Sequence, residues 1–562
     1  MYSFATKANE RHSQKPLPDG AGMDSFNSGG SETRSRRLDT HVMPRLRLAF
    51  VTLALALGVV SLVGPHLSAQ TGPKRIYLAN DDHTDYMWTA DEATYRQAFI
   101  DMIDFSLNQA DRTAANPSPY QGRFNLDGSF WLWEYEHNKT PAEFDRVISR
   151  IKDGHLSVPL NPLVTLYGGM PTEAALRSMY YGGQLERRYS FRIPLAVAME
   201  DQTFPYGLTS LWAGSGVRYS WKGICGCVTR LPLAPLGQRD QEVYWLTGPD
   251  GSRVLMKWNS LLNNNNQSMG GYAEARNPAT IVDVIDSDAT FNSHYPYRVA
   301  GAFGKGWDDL STQTDDVIAA AQAQTNASRQ VYVSNQLDFF QDFESTYGSQ
   351  LPSAGASFGN EWELLVASLS EVSAGVKRSL SKLRAAEAMA ALVVAKVPTF
   401  LNGRQAARDK AMIDYGLYFE HDWTADGAIS KSARAAWQRK IAGEINSYVD
   451  TLHADAASAL AGQIITTGTN PRFFVFNPLG WARDDVAEVA YAGAGPVHVI
   501  DVATGLEVPS QLLSGSAPQR LQIVAPAVPS VGYKVFEIVA GAGQTWSPAA
   551  DVTGTSVIDN AY

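Results

Sequence analysis

Between Arg75 and Trp88 the sequence reads RIYLANDDHTDYMW, and His83 and Asp85 stand two residues apart in it. In an extended or tightly turned segment, that spacing can aim an imidazole and a carboxylate at one centre, as a divalent metal requires. Three later places offer partners: Glu200-Asp201 after an apolar run, Trp307-Asp308-Asp309 after another, and His421 in FEHDW. His83, Asp85, Asp201 and His421 together would supply two nitrogens and two oxygens, a donor set suited to zinc. A carboxylate that also holds a metal is fixed and ionised, which suits a nucleophile. A second carboxyl, uncharged at working pH, could protonate a leaving oxygen. Asp308 and Asp309 qualify, because adjacent carboxylates resist ionising together. A separation of about 5–5.5 Å between the two acting carboxyls would make a retaining glycosidase. Each feature also has a plainer reading. His-x-Asp serves as a loop hydrogen bond, Asp308-Asp309 as a helix cap, His421 as a bundle-end histidine, and Glu200-Asp201 as solvated loop acids. His137, His155, His294, His453 and His498 read as structural.

The elements that must position these groups follow from periodicity. Ile76, Tyr77 and Leu78 are strand formers. Thr89-Ala-Asp-Glu92 reads as a capping box, and Tyr95, Phe99, Met102, Ile103 and Leu107 give the helix behind it a buried face. His83 and Asp85 therefore fall in a strand-to-helix loop, where α/β barrels place their chemistry. From Arg75 to about Asp342, strand-like runs alternate with helical stretches. Strands are expected in 193–199, 217–221, 254–258, 297–303 and 331–333, and Phe130 to Trp133 forms an aromatic run. From about Glu361 to Thr466 the pattern is helical only. Val376, Leu380 and Leu383 share one face, and Trp437, Ile441, Ile445, Tyr448 and Leu452 share another. After Gly468 the pattern turns to β. The expected architecture is multidomain α/β + α + β. A barrel-like (β/α) domain spans 74–345, a three-helix bundle 355–466, and a small antiparallel β domain 470–562, the start of a β-sandwich region.

The chain has 562 residues, 44% hydrophobic and 19% charged, an ordinary globular composition with room for several cores. Its 13 Trp and 24 Tyr suit a sugar-binding cleft as well as a large packed core. A net charge of −10, with no long basic run after the leader, argues against nucleic acid as a partner. Residues 1–45 are polar and without periodicity, and read as a disordered leader or an over-extended start ahead of Met43. Within 46–70, arginines, an apolar run from Leu48 to Val63 and small residues around Ala69 make a signal-peptide pattern. The run is short for a membrane anchor, and Gly64-Pro65 ends it. Export to the periplasm or the exterior is expected, with no stable membrane span after cleavage. The two cysteines, Cys225 and Cys227, exclude a disulfide framework and read as small residues on a strand and its turn.

With these motifs in view, the chain resembles glycoside hydrolase family 38, the zinc-dependent α-mannosidases, and looks most like a divergent bacterial branch. The family's His-x-Asp-x-x-Trp motif is matched by His83, Asp85 and Trp88, with Asp81 where the family often has another His. VAMEDQTFPYGLTSLWAGSGVRY is similar to the nucleophile segment and offers Asp201, with Glu200 taking the place when no gap is allowed. Trp307-Asp308-Asp309 resembles the acid/base loop and points to Asp309. FEHDWTADG resembles the second histidine motif and gives His421. GGMPTEAALR, LDFFQDFESTYGSQLP and VFNPLGW resemble further family phrases, in order. The resemblance implies one zinc per chain, held by His83, Asp85, Asp201 and His421. It implies a retaining mechanism with Asp201 as nucleophile and Asp309 as acid/base, acting on a terminal α-mannoside. Trp88, Asp81, Arg177 and Asp308 would contact the sugar. The family continues into more β-sandwich, so the chain is also expected to be C-terminally truncated. Two other functions fit parts of the pattern: a non-catalytic or decayed sugar-binding protein, and a zinc-dependent polysaccharide deacetylase. The deacetylase would need a His-x-x-x-His helix, which the chain lacks.

Overall fold

A computed structural model describes residues 72–199, 203–223, 242–259, 269–355, 361–423, 427–513, 519–547, 550–553 and 557–560, with 357, 359 and 515. Glu200, Asp201, Cys225 and Cys227, like the leader and the apolar run before residue 72, lie outside the described residues.

The apolar KRIYLA stretch forms strand β1 (Lys74–Ala79), and Asp82–His83 continues it as β2. Ile76, Leu78 and Ala79 are fully buried, so β1 takes cover on both faces as a central parallel strand must. Next come β3 (Phe124–Asn125), β4 (Leu156–Ser157), β5 (Leu195–Val197) and β6 (Tyr219–Trp221). They are followed by β7 (Val243–Thr247), β8 (Arg253–Lys257), β9 (Val299–Phe303), β10 (Gly306–Trp307) and β11 (Arg329–Ser334). β1 lies between β11 and β9, parallel to both, with Ile76 opposite Val331 and Ala300. The same pairing carries on past the strand ends, where His83 of β2 stands opposite Trp307 of β10. The remaining strands form separate short ladders rather than one closed barrel ladder: β3 with β4, and β5, β6 and β8 in parallel with β7 antiparallel to β8. β7 thus departs from strict β/α alternation.

The aromatic run finds its element, and one local expectation changes. Phe130 to Trp133 is the buried first half of a helix, Ser129–Asn138. The helix after His83 and Asp85 runs Glu92–Arg112, and its cap is Asp91, which accepts from the Thr94 amide at 2.9 Å. Thr89 therefore caps nothing, and its hydroxyl is left for another partner.

Three long helices follow: Ser370–Val394, Gln405–Tyr418 and Lys431–Ala461. The first and second both pack on the third. Val376, Leu380 and Leu383 are buried with Trp437, Ile441 and Ile445. On the third helix the buried face then passes through Val449, while Tyr448 turns half out. The second helix closes on the α/β region through a glycine. A Cβ on Gly416 would lie 2.2 Å from Cγ of Pro162, in the loop after β4. Gly416→Ala must push that helix away, and overpacking of this kind costs about 1–3 kcal/mol. A lower urea midpoint at unchanged slope is the expected reading, and an unshifted midpoint would contradict the close approach.

Asp414, on the same helix, is fully buried, and burial pushes its carboxyl up to about 7 despite Lys410 beside it. A carboxyl whose folded pKa exceeds its unfolded one binds the extra proton in the folded state. Stability is therefore lost as pH rises from about 4 to about 7. Asp414→Asn should unfold like the native chain below about pH 4, where the carboxyl is protonated in both states. At pH 8 it should be more stable by a few kcal/mol, about 1.4 per pKa unit. Equal differences at both pH values would rule this out.

The β region after residue 470 forms two larger antiparallel sheets, besides a two-stranded ladder of Ala550–Thr553 with Val557–Asn560. One orders Arg472–Asn477, Gly532–Ala540, Val497–Asp501 and Glu507–Val508; the other orders Arg483–Ala490, Arg520–Val528 and Ser510–Leu513. Val499, Leu521, Ile523 and Phe536 fill a core of their own.

Candidate metal centre

His83 ends β2, and its ring is fully buried, with the Tyr272 ring 4.5 Å away between centroids. Its Nε2 lies 2.8 Å from Oδ1 of Asp85. The same oxygen lies 3.1 Å from Nε2 of His421, which arrives on the loop after the Gln405–Tyr418 helix. The loop is pinned there by the backbone, since the His421 amide donates to the Val164 carbonyl at 3.1 Å. Three side chains from residues 83, 85 and 421 thus bring donor atoms within 4.8 Å of one another. Two imidazoles and a carboxylate facing one point make a nitrogen-rich, borderline-soft donor set of the kind zinc takes. Burial alone would push Asp85 up, but the charge of His83 and the bonds from both histidines hold it well below the usual carboxylate range.

Behind His421 stands a second layer. Oε1 of Glu420 lies 2.7 Å from Nδ1 of His421, and its Oε2 accepts from Arg434 at 2.5 Å. Arg434 also donates to the Tyr86 carbonyl, so one guanidinium ties the 421 loop to the 83–88 loop. Glu420 and Arg434 are both buried. A carboxylate beside the far nitrogen favours a proton there by its charge, leaving Nε2 as the ligand atom. Glu420→Gln should lower metal affinity by about 10–100-fold, the usual effect of losing such a partner. Zinc titration with a competing chelator reads it directly, and unchanged affinity would remove Glu420 from this role.

The two adjacent acids separate. Asp308 and Leu310 both take a left-handed backbone, with φ of 51° and 55°, and the turn between them sends Asp308 inward and Asp309 outward. Asp308 accepts from the Asp85 amide at 3.1 Å, from the Tyr95 hydroxyl at 2.7 Å and from the Thr89 hydroxyl. Burial, with Asp85 beside it, pushes Asp308 up to about 8, and these donors oppose the rise. All three donors belong to residues 85–95, so Asp308 holds the His-x-Asp loop in place. Asp309 has a 37% exposed side chain and pairs with Arg276. Neither acid caps the next helix, which begins at Asp316 with Asp315 as its cap.

Other expected contacts are relocated. Asp81 is buried, accepting from the Lys305 amide at 3.1 Å and from Gln336 at 3.2 Å. It anchors the loop after β9 rather than lining a cleft. Arg177 pairs with Glu173 and Glu387, away from the histidines. Trp88 does stand at the rim: it is 38% exposed, and Ala428 donates to its carbonyl at 2.8 Å. Three acids join the cluster beyond those expected. Asp127 is buried, with Oδ2 3.9 Å from Nδ1 of His83, and burial pushes it up to about 6. Glu420 supports His421 as described. Asp422 is buried with Oδ2 unpartnered, and burial, with Asp85 next, pushes it well above its ordinary value. The signal for Asp127 was its place after a short strand, and for Glu420 and Asp422 their position either side of His421.

A parallel-stranded α/β region, three long helices and a β region, with the histidines meeting where the first two join, make a fold that solved structures share. The chain has the fold of an α-mannosidase from Enterococcus faecalis V583: 15% identity, TM-score 0.64, covering 85% of this chain and 57% of that one. A protein in glycosyl hydrolase family 38 from Enterococcus faecalis matches at 16% identity and TM-score 0.58, covering 86% of this chain and 56% of that one. This chain therefore spans a little over half the length of either. No family model matches the sequence, and no curated protein does.

Proposed function

We propose that this chain is a metal-dependent retaining α-mannosidase of glycoside hydrolase family 38, exported and acting on terminal α-mannosyl residues. The observation that carries the proposal is the convergence of His83, Asp85 and His421 at strand and helix ends of this fold. The donor set fits zinc, held by those three residues with Asp201 as the fourth ligand. A bound zinc would act as a Lewis acid and as a template for vicinal sugar hydroxyls. Asp85, held ionised between two imidazoles, balances charge and sets their spacing. Asp422 offers an unpartnered carboxyl to a sugar hydroxyl, and the exposed Trp88 ring offers an apolar face. Asp201, or Glu200 beside it, attacks the anomeric carbon to form a glycosyl-enzyme. Asp309 has the solvent access a general acid needs, and gives its proton to the leaving oxygen. It then takes one from the water that releases the sugar. Export rests on the arginine-then-apolar pattern of residues 43–70. Among the described residues no helix is long and apolar enough to cross a membrane.

Hydrolysis of an aryl α-mannoside, with the product anomer followed by NMR, tests this reading. Release of α-mannose first, lost with a chelator, is expected. Initial release of the β-anomer would overturn retention, and acetate release from acetylated glycans without glycoside cleavage would favour a deacetylase.

A further inference from the structure

A partly open cavity of about 200 Å³ lies against the helical region, among Arg177, Tyr180, Glu387, Arg408 and Tyr448. It is separate from the metal centre. Arg408 and Tyr418 sit on one helix, ten residues or about 15 Å apart at 1.5 Å per residue, and His421 lies beyond Tyr418.

Its lining is pre-set. The Arg408 guanidinium lies over the Tyr180 ring, 5.3 Å from its centre, and only its Nε is used, donating to Asp409 at 2.9 Å. Among the described residues, neither terminal amino group has a hydrogen-bond partner. Arg404, at the mouth, donates through Nε to the Phe400 carbonyl and through Nη2 to Asp455, leaving Nη1. Among the described residues the Tyr448 hydroxyl has no hydrogen-bond partner, and burial, with Glu387 next, pushes it up to about 12, so it stays a donor. Glu387, held by Arg177 at 2.7 Å, supplies acceptor oxygens. Met412 and Leu452 give an apolar floor.

Donors and an acceptor around an apolar floor match a polyol ring, which presents hydroxyls at its edge and C–H groups on its face. Each arginine is already paired with a carboxylate, Asp409, Asp455, Glu173 or Glu387, three of which lie just behind the lining, so the positive charge is largely compensated and selects weakly for an anion. The volume is below that of a drug-sized pocket and admits one small ring. The ion pairs fix the polar groups beforehand, which lowers the ordering cost of binding. We propose that this cavity is a second carbohydrate site, taking a single neutral pyranose unit and independent of the metal centre.

The test uses the full chain carrying His421→Ala, titrated with methyl α-mannopyranoside and methyl α-glucopyranoside by calorimetry and saturation-transfer NMR. One equivalent of either glycoside should still bind. Arg408→Ala in that background should weaken it about tenfold or more, since hydrogen bonds from a charged group are lost. Tyr448→Phe, which removes only a hydroxyl, should weaken it several-fold with unchanged melting. Arg408→Ala in the otherwise unaltered chain should leave aryl mannoside hydrolysis unchanged. No binding in the His421→Ala chain, or binding indifferent to both Arg408→Ala and Tyr448→Phe, overturns the proposal. Because hydrolysis is already removed in that background, either result leaves the glycosidase reading untouched.

Discussion

His421→Ala is expected to yield a folded chain that holds no stoichiometric zinc and hydrolyses aryl α-mannosides at least about 10³-fold more slowly. The magnitude follows from losing a Lewis acid worth several kcal/mol in the transition state, at about 1.4 kcal/mol per decade. His421 supplies one of two imidazole nitrogens on Asp85 Oδ1. Without it the described donors fall to one nitrogen and one carboxylate. The substitution also leaves Glu420 bonded only to Arg434 and the Asp422 amide. The fold should survive, because that charge pair stays intact. Circular dichroism, metal analysis and initial rates on one preparation measure all three. Full zinc content with lost activity would mean that His421 serves the reaction without holding a metal.

The second large effect separates the adjacent carboxylates. Asp309→Asn should keep zinc and stability and lose about 10²–10⁴-fold in kcat, the usual contribution of a general acid. Asp308→Ala should act differently. It frees the Asp85 amide, the Thr89 hydroxyl and the Tyr95 hydroxyl together, so the His-x-Asp loop loosens and zinc affinity falls with activity. An activated leaving group needs no proton, so a dinitrophenyl glycoside should rescue Asp309→Asn and not Asp308→Ala. Rescue of Asp308→Ala alone would exchange the two roles.

The sequence displayed the groups that are close in the chain or stand at strand ends. His83 and Asp85 are two residues apart, and a single strand-to-helix loop suffices to aim both. His421 is far away, but FEHDW marks a helix end, and the helical block must pack somewhere. Which of Asp308 and Asp309 faces inward depends on a left-handed turn at Asp308, and two identical side chains carry no trace of it. That Arg177 and Asp81 would contact a sugar was implied by the family resemblance alone. Their partners, Glu387 and Gln336, come from 210 and 255 residues away and were invisible to local spacing. The same holds for Arg434, whose grip on Glu420 and on the Tyr86 carbonyl joins two blocks. Tyr448 and Val449 show a smaller limit. Either continues a helical stripe, and only packing against the neighbouring helices decides which is buried.

The central claim is that His83, Asp85 and His421 hold a metal which the hydrolysis uses. The most direct measurement strips the full chain with a chelator and titrates zinc back while aryl α-mannoside hydrolysis is followed in the same cuvette. Activity should vanish, then rise linearly and break at one zinc per chain. Hydrolysis that persists in the stripped chain, or zinc that binds at one equivalent without restoring it, would contradict the account.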